Sequence, residues 1–115
     1  GNGMKIAVKK EIAYKDIKKY LQKCYGDLVP SGFGNQGECV NLVIFPCDRK
    51  GVVTSRYIRK ALEKIKDTTI VTVYFAWCFS TEAKALVREN NGVVFGIHDF
   101  EWTDESWFVY KNGCG

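Results

Sequence analysis

The fold is decided by two apolar stretches of the chain, CVNLVIF at residues 39–45 and IVTVYFAW at residues 70–77. Both are rich in β-branched and aromatic residues, which is typical of strands, and the near absence of polar residues in the first indicates burial on both faces of a sheet. Residues 57–65 between them repeat apolar residues at helical spacing, and Thr54 or Ser55 is suited to cap that helix. A strand, a helix and a second strand in this order predict a right-handed βαβ unit with parallel strands.

The same alternation continues toward the C-terminus. Ser80 or Thr81 is suited to cap another helix, and the Asn-Asn-Gly sequence at residues 90–92 is a typical helix stop. Residues 93–97 then predict a third strand, and residues 98–110 predict a hairpin that adds an antiparallel edge. The chain from the first apolar stretch onward is therefore expected to form a βαβαβ core plus a C-terminal β-hairpin.

The N-terminal part completes the predicted fold. Residues 4–10 predict a short strand or an extended lead-in, and apolar residues at helical spacing predict a helix over residues 13–24. Residues 26–37 contain four glycines and one proline, which indicates a loop. Residues 1–3 are interpreted as an expression remnant and residues 4–115 as a single domain. The expected fold class is α/β, a three-layer sandwich with a mixed central sheet.

The composition is that of an ordinary globular domain. Of the 115 residues, 46% are hydrophobic and 26% are charged, and no apolar run approaches the roughly 18 residues of a membrane helix. Five cysteines without a CxxC pair and a single histidine argue against a closed zinc site and favour reduced thiols in the cytoplasm. Disordered, fibrous and membrane-spanning classes are therefore excluded, and no cofactor is expected.

The net charge of +4 is unevenly distributed along the chain. Residues 1–66 contain 14 basic and 6 acidic residues, whereas residues 67–115 contain 3 basic and 7 acidic residues. Five of the basic residues flank the junction between the first buried strand and the helix after it: Arg49, Lys50, Arg56, Arg59 and Lys60. Basic side chains beside a helix N-terminus suit a phosphate backbone, so this junction is a candidate site for DNA or RNA. The alternative is that these side chains only solvate a helix face.

A metal-dependent nuclease is a second hypothesis for the same region. If the backbone stays extended after residue 45, Asp48 and Lys50 lie on the same face of the chain. Together with an upstream carboxylate, Asp27 or Glu38, they could hold Mg²⁺ beside a phosphate, with the lysine neutralising the developing charge. The alternative is that the Asp-Arg-Lys-Gly sequence at residues 48–51 is a charged turn.

Two further hypotheses concern the second half of the chain. Residues 98–110 mix acidic and aromatic side chains, which suits a protein-binding edge or a homodimer contact that includes Trp107. The alternative is a hairpin with one packed aromatic face and one polar face. Cys78 lies where a strand meets a helix N-terminus, and His98 is the one histidine that could serve it as a base in a thiol enzyme.

The middle of the chain resembles the C-terminal part of Mrr-type, restriction-endonuclease-like (PD-(D/E)XK) domains. The resemblance covers about half of the chain, between residues 40 and 97. It is carried by five segments in order: Val40 to Phe45, Tyr57-Ile58-Arg59 through Leu62, Ile70 to Trp77, Phe79-Ser80-Thr81-Glu82-Ala83 and Asn90-Asn91-Gly92-Val93-Val94. It implies a restriction-endonuclease-like fold and an association with nucleic acid.

The catalytic positions depart from the pattern of that family. The family carries a Gln/Glu-x-Lys motif on its buried strand, and by length this motif falls on Phe45-Pro46-Cys47. Asp48 and Lys50 could take its place only if the loop that follows is shorter than usual, and the upstream metal-binding Asp has no clear counterpart. The resemblance therefore implies a nucleic-acid-associated domain without nuclease activity.

Overall fold

The computed structural model describes residues 6–13, 16–17, 19–21, 39–45 and 51–96. The elements with full bounds are strands β1 (Ala7–Ala13), β2 (Cys39–Ile44), β3 (Thr72–Ala76) and β4 (Gly92–Gly96), and helices α1 (Ser55–Ile65) and α2 (Thr81–Glu89). Residues 17 and 19–21 are also helical. The strands and helices that the apolar patterns predict over residues 39–96 are thus present, with bounds that differ from the predicted ones by at most two residues.

The four strands form one mixed sheet in the order β1-β2-β3-β4. β2, β3 and β4 are parallel neighbours, which confirms the two successive βαβ units, and β1 is antiparallel to β2. Helices α1 and α2 pack on the same face of the sheet, as right-handed crossovers between strands added in one direction require. The chain is therefore an α/β protein, and its described residues form a mixed four-stranded sheet.

Both faces of the sheet are covered, so the near-continuous apolar sequence of β2 is explained. Val43, with Phe45 just after the strand, faces α1 and α2, whereas Leu42 and its alternate neighbours face the other way. On that second face the described cover is Ile17 and Leu21, both fully buried. Because side chains alternate along a strand, a strand buried on both faces needs apolar residues at nearly every position.

The N-terminal region differs from the prediction. The predicted strand ends at residue 10 and the predicted helix begins at residue 13, but β1 continues to Ala13, which pairs with Cys39. The reason is a β-bulge: Lys9 pairs with Leu42 and Ile12 with Val40, so β1 has two residues opposite one. The extra residue turns the following side chains to the opposite face and breaks the period-two pattern that would have identified the strand.

The apolar residues of β1 before and after the bulge pack on opposite faces of the sheet. Val8, before the bulge, packs on the face that carries α1, whereas Ile12, after the bulge, packs on the opposite face. Within the described ranges, β1 is the strand that pairs in the antiparallel direction, whereas the sequence predicts an antiparallel edge from the hairpin at residues 98–110. That hairpin lies outside the described residues.

Candidate functional site

Helix α1 presents a basic face to solvent. Arg56, Arg59 and Lys60 are all exposed, whereas Ile58 and Ala61 are fully buried against the sheet. The separation follows from the helical repeat, because residues three or four positions apart share one face of a helix. Three of the five residues proposed for phosphate contact are therefore brought together on one surface.

The basic side chains on this face form no ion pairs with the described residues. Glu63 lies four residues after Arg59 and three after Lys60, but no ion pair joins any described residue to Arg56, Arg59 or Lys60. Residues at this spacing on a helix have Cβ atoms about 5–6 Å apart, so the basic side chains repel one another. A phosphate group bound between them would relieve that repulsion.

The charge of α1 contrasts with that of α2, its neighbour on the same face of the sheet. Helix α1 carries four basic residues and one acidic residue, whereas α2 carries two of each. The uneven charge seen along the sequence thus becomes an uneven surface, positive over α1 and balanced over α2.

The two helices also begin differently. Thr54 occupies the N-cap position of α1, but its side chain makes no capping hydrogen bond with the described residues, and the first turn of α1 contains no acidic residue. In α2, Oγ of Ser80 accepts a hydrogen bond from the backbone N–H of Ala83 at 3.1 Å, and Glu82 lies in the first turn. The predicted cap is confirmed for α2, whereas Thr54 leaves the first N–H groups of α1 without a side-chain acceptor among the described residues.

The starts of the two helices are joined by backbone hydrogen bonds. The N–H of Val53 donates to the carbonyl oxygen of Cys78 at 2.9 Å, and the N–H of Ser80 donates to the carbonyl oxygen of Val53 at 2.9 Å. This parallel bridge between Val53 and Phe79 holds the beginning of α1 at the carboxyl end of the parallel strands. Open α/β sheets bind ligands at that edge.

Tyr57 orients one of the basic side chains. Nζ of Lys60 lies 5.7 Å from the centre of the Tyr57 ring, within range of a cation–π interaction. Tyr57 is half-buried and packs against the core beneath α1. The α1 surface therefore combines an aromatic ring with basic side chains.

Several residues proposed from the sequence lie outside the described residues. They are Asp27, Glu38, Asp48, Arg49, Lys50, His98 and the whole hairpin at residues 98–110. Cys78 is described and half-buried, with Sγ 4.0 Å from the carbonyl oxygen of Phe79. Over the described ranges no three His, Cys, Asp or Glu side chains converge in a way that could hold a metal ion.

The sequence patterns did not identify the role of Asn41, the one amide in the apolar sequence of β2. It is 3% exposed, and Oδ1 accepts a hydrogen bond from the backbone N–H of Glu11 at 3.0 Å. Its Nδ2 lies 3.5 Å from Oγ1 of Thr72 and 3.5 Å from the carbonyl oxygen of Asp67. Asn41 is therefore a structural residue that links β1, β2 and β3, and a lone polar residue inside a buried strand is the signal that could have identified it.

Tyr74 is the other buried polar residue of note. Its hydroxyl has no hydrogen-bond partner in the described part of the chain, and its ring stacks on Phe45 with centres 6.4 Å apart. Burial raises the pKa of the Tyr74 phenol above its ordinary value. The phenol is 1% exposed, so it belongs to the core and not to the basic surface.

Comparison with protein-family models, with curated proteins and with solved structures finds no match to this chain. Among the helices that the structure describes, none is both long and apolar enough to cross a membrane.

Proposed function

We propose that this chain is a small nucleic-acid-associated domain without nuclease activity, which holds phosphate groups on the basic face of α1. Arg56, Arg59 and Lys60 would contact the backbone of DNA or RNA, and Arg49 and Lys50 would extend the contact. The observation that carries the proposal is the group of exposed basic side chains on α1, which form no ion pair with any described residue, beside a charge-balanced α2.

Two further observations support the proposal. The first N–H groups of α1 have no side-chain cap among the described residues and no acidic residue in the first turn, so the positive end of the helix dipole adds to the attraction for phosphate. The order of strands and helices over residues 39–96 is compatible with the restriction-endonuclease-like resemblance. A cytoplasmic location is part of the proposal, and the free thiols of Cys39 and Cys78 suit a reducing compartment.

The proposal is tested by fluorescence anisotropy with labelled duplex DNA, single-stranded DNA and RNA over a range of salt concentrations. Binding should weaken steeply with salt, because each neutralised phosphate releases counterions. In the double variant Arg56→Ala/Arg59→Ala, the logarithmic salt slope on duplex DNA should become shallower by about 2, at about 0.9 for each lost phosphate contact.

A charge-matched control variant shows whether the loss of binding comes from the contact at α1 or only from the lower net charge of the protein. The double variant Lys84→Ala/Arg88→Ala removes the same charge from α2, and its salt slope should stay that of the unmodified protein. Equal effects of the two double variants, or no binding by the unmodified protein, would overturn the proposal.

A gel of the same samples with Mg²⁺ tests the absence of nuclease activity. The probes should remain intact, because the family motif falls on Phe45-Pro46-Cys47. Mg²⁺-dependent cleavage that disappears in Asp48→Asn would show instead that Asp48 and Lys50 form an active site.

A further inference from the structure

A second cluster of basic and aromatic side chains lies on the opposite face of the sheet from α1. Nζ of Lys9 lies 5.6 Å from the centre of the Tyr20 ring, and Nζ of Lys19 lies 5.4 Å from the same centre. Tyr20 is half-buried and packs on the face covered by Ile17 and Leu21. Two ammonium groups, one from β1 and one from the helical residue next to Tyr20, thus converge on one ring.

Among the described residues, no acidic side chain forms an ion pair with the lysines of this second cluster. Glu11 and Asp16 are close to Lys9 and Lys19 in sequence, but within the described ranges no ion pair involves either lysine. The ring attracts each ammonium group, but it carries no charge of its own, so the two lysines still repel one another. A bound anion would neutralise both.

β1, the outer strand of the described sheet, lies between the second cluster and the basic face of α1. β1 contacts α1 on one face, where Ile6 and Val8 pack into the helix-side core, and it carries Lys9 toward Tyr20 on the other face. Lys9 and Lys10 are both exposed on β1 itself. The strand that lies between the two basic clusters therefore carries two exposed lysines of its own.

From this arrangement we infer that the ligand is a single-stranded nucleic acid that passes over the β1 edge and contacts both clusters. This inference rests on the proposed function. Duplex DNA is stiff, with a persistence length of about 50 nm, so bending it sharply around the edge of one sheet costs several kcal/mol of deformation energy, whereas a single strand bends at little cost. Each cluster pairs a tyrosine with lysines, Tyr57 with Lys60 and Tyr20 with Lys9 and Lys19, which is the combination that holds unpaired bases and their backbone.

The test compares one oligonucleotide sequence as single-stranded DNA, as RNA and as duplex DNA in the anisotropy assay. Both single-stranded probes should bind about tenfold or more tightly than the duplex at the same salt concentration. The variant Lys9→Ala/Lys19→Ala should weaken binding of the single strands and reduce their salt slope by about 1.4, at about 0.7 for each lost phosphate contact.

The variant Tyr20→Leu distinguishes the contribution of base stacking on the ring from that of the lysine charges. Leucine keeps the apolar packing and removes the aromatic ring, so this variant should bind the single strands less tightly with an unchanged salt slope. Thermal melts of both variants confirm that any loss occurs in folded protein. Lys84→Ala/Arg88→Ala again serves as the charge-matched control.

The outcomes distinguish this inference from the proposed function. If the unmodified protein binds and Arg56→Ala/Arg59→Ala weakens it, the proposed function stands. If Lys9→Ala/Lys19→Ala then behaves like the α2 control, or the duplex binds as tightly as the single strands, the path over the β1 edge is wrong. If no probe binds, both are wrong.

Discussion

Oδ1 of Asn41 accepts a hydrogen bond from the backbone N–H of Glu11. Because of the bulge in β1, this N–H does not take part in the regular hydrogen bonding between β1 and β2. The distance is 3.0 Å, and Glu11 has a φ of 51°, in the left-handed region. An amide at this position would otherwise lack a partner, since two residues of β1 lie opposite one residue of β2. The bulge in β1 and the amide in β2 therefore form one structural unit.

Asn41→Leu should destabilise the protein. Leucine keeps the side chain nearly the same size but leaves the Glu11 N–H unpaired, so the free energy of unfolding should fall by about 1–3 kcal/mol. Urea denaturation measures the change. Thr72→Val is the control, because Oγ1 of Thr72 makes only a long 3.5 Å contact with Asn41 and its loss should have a smaller effect. An Asn41→Leu protein as stable as the unmodified one would contradict this account.

Tyr74→Phe should leave the protein as stable or make it more stable by up to about 1 kcal/mol, because it removes a buried hydroxyl that has no described partner. The effect should grow in alkaline solution. The folded state raises the pKa of the Tyr74 phenol, so above the ordinary tyrosine pKa of about 10 the unfolded state loses its proton first and folding is weakened.

The other tyrosines and the lysines titrate in both proteins. The difference in unfolding free energy between Tyr74→Phe and the unmodified protein therefore reports the Tyr74 phenol alone. Urea midpoints of Tyr74→Phe and of the unmodified protein should lie close together at neutral pH and separate above pH 10, with Tyr74→Phe the more stable. A constant difference across that range would show that the phenol ionises equally in both states.

Thr54→Asp should have opposite effects on stability and on nucleic-acid binding. A carboxylate at the N-cap of α1 can accept hydrogen bonds from the N–H groups of the first turn, which Thr54 does not cap, and it interacts favourably with the helix dipole. The free energy of unfolding should therefore rise by about 0.5–2 kcal/mol. The same charge beside Arg56 should weaken binding of labelled nucleic acid. Thermal melts and anisotropy measure the two effects.

Ser80→Ala is the matched change on α2, where it removes an existing cap and should destabilise the protein by about 1 kcal/mol without changing nucleic-acid affinity. If Thr54→Asp raised stability with no loss of affinity, the start of α1 would not contribute to the interface.

Gly92→Ala should destabilise the protein, because the first strand residue after α2 has no space for a side chain. A Cβ atom there would lie 2.7 Å from Cγ1 of Val87 and 3.1 Å from the carbonyl oxygen of Thr72. Overpacking of this kind lowers the free energy of unfolding by about 1–3 kcal/mol.

A double-mutant cycle tests the cause. In Gly92→Ala/Val87→Ala the closest clash is absent, so the loss of stability should be smaller than the sum of the two single losses. Additive losses would mean that Val87 is not the obstacle.

The helices and parallel strands could be predicted because each follows a local pattern. The repeat of Ile58, Ala61 and Ile65 identifies the buried face of α1, and it also places Arg56 and Lys60 on the opposite face. This part of the candidate site therefore follows from helical geometry alone, without knowledge of the tertiary fold.

The rest depended on contacts between distant parts of the chain. The bulge in β1 is stabilised by Asn41, thirty positions away from Glu11, so no window of local sequence contains both halves of the motif. Lys9 and Lys19 meet at Tyr20 only because β1 extends past the bulge and residues 19–21 return across the sheet. The local patterns predict a helix that includes Lys19 and a short strand that includes Lys9, but they do not predict that the two side chains meet.

The bulge in β1 also affects how copies of the molecule meet one another. A regular edge strand offers an unbroken row of N–H and C=O groups to which the edge of a second molecule can add. In β1 the positive φ of Glu11 interrupts that row, and Lys9, Lys10 and Glu11 place three exposed charges in succession. A second copy approaching strand to strand meets an irregular backbone and a row of charged side chains that it would have to desolvate, so this strand resists the sheet-to-sheet aggregation to which flat, uncharged edges are prone.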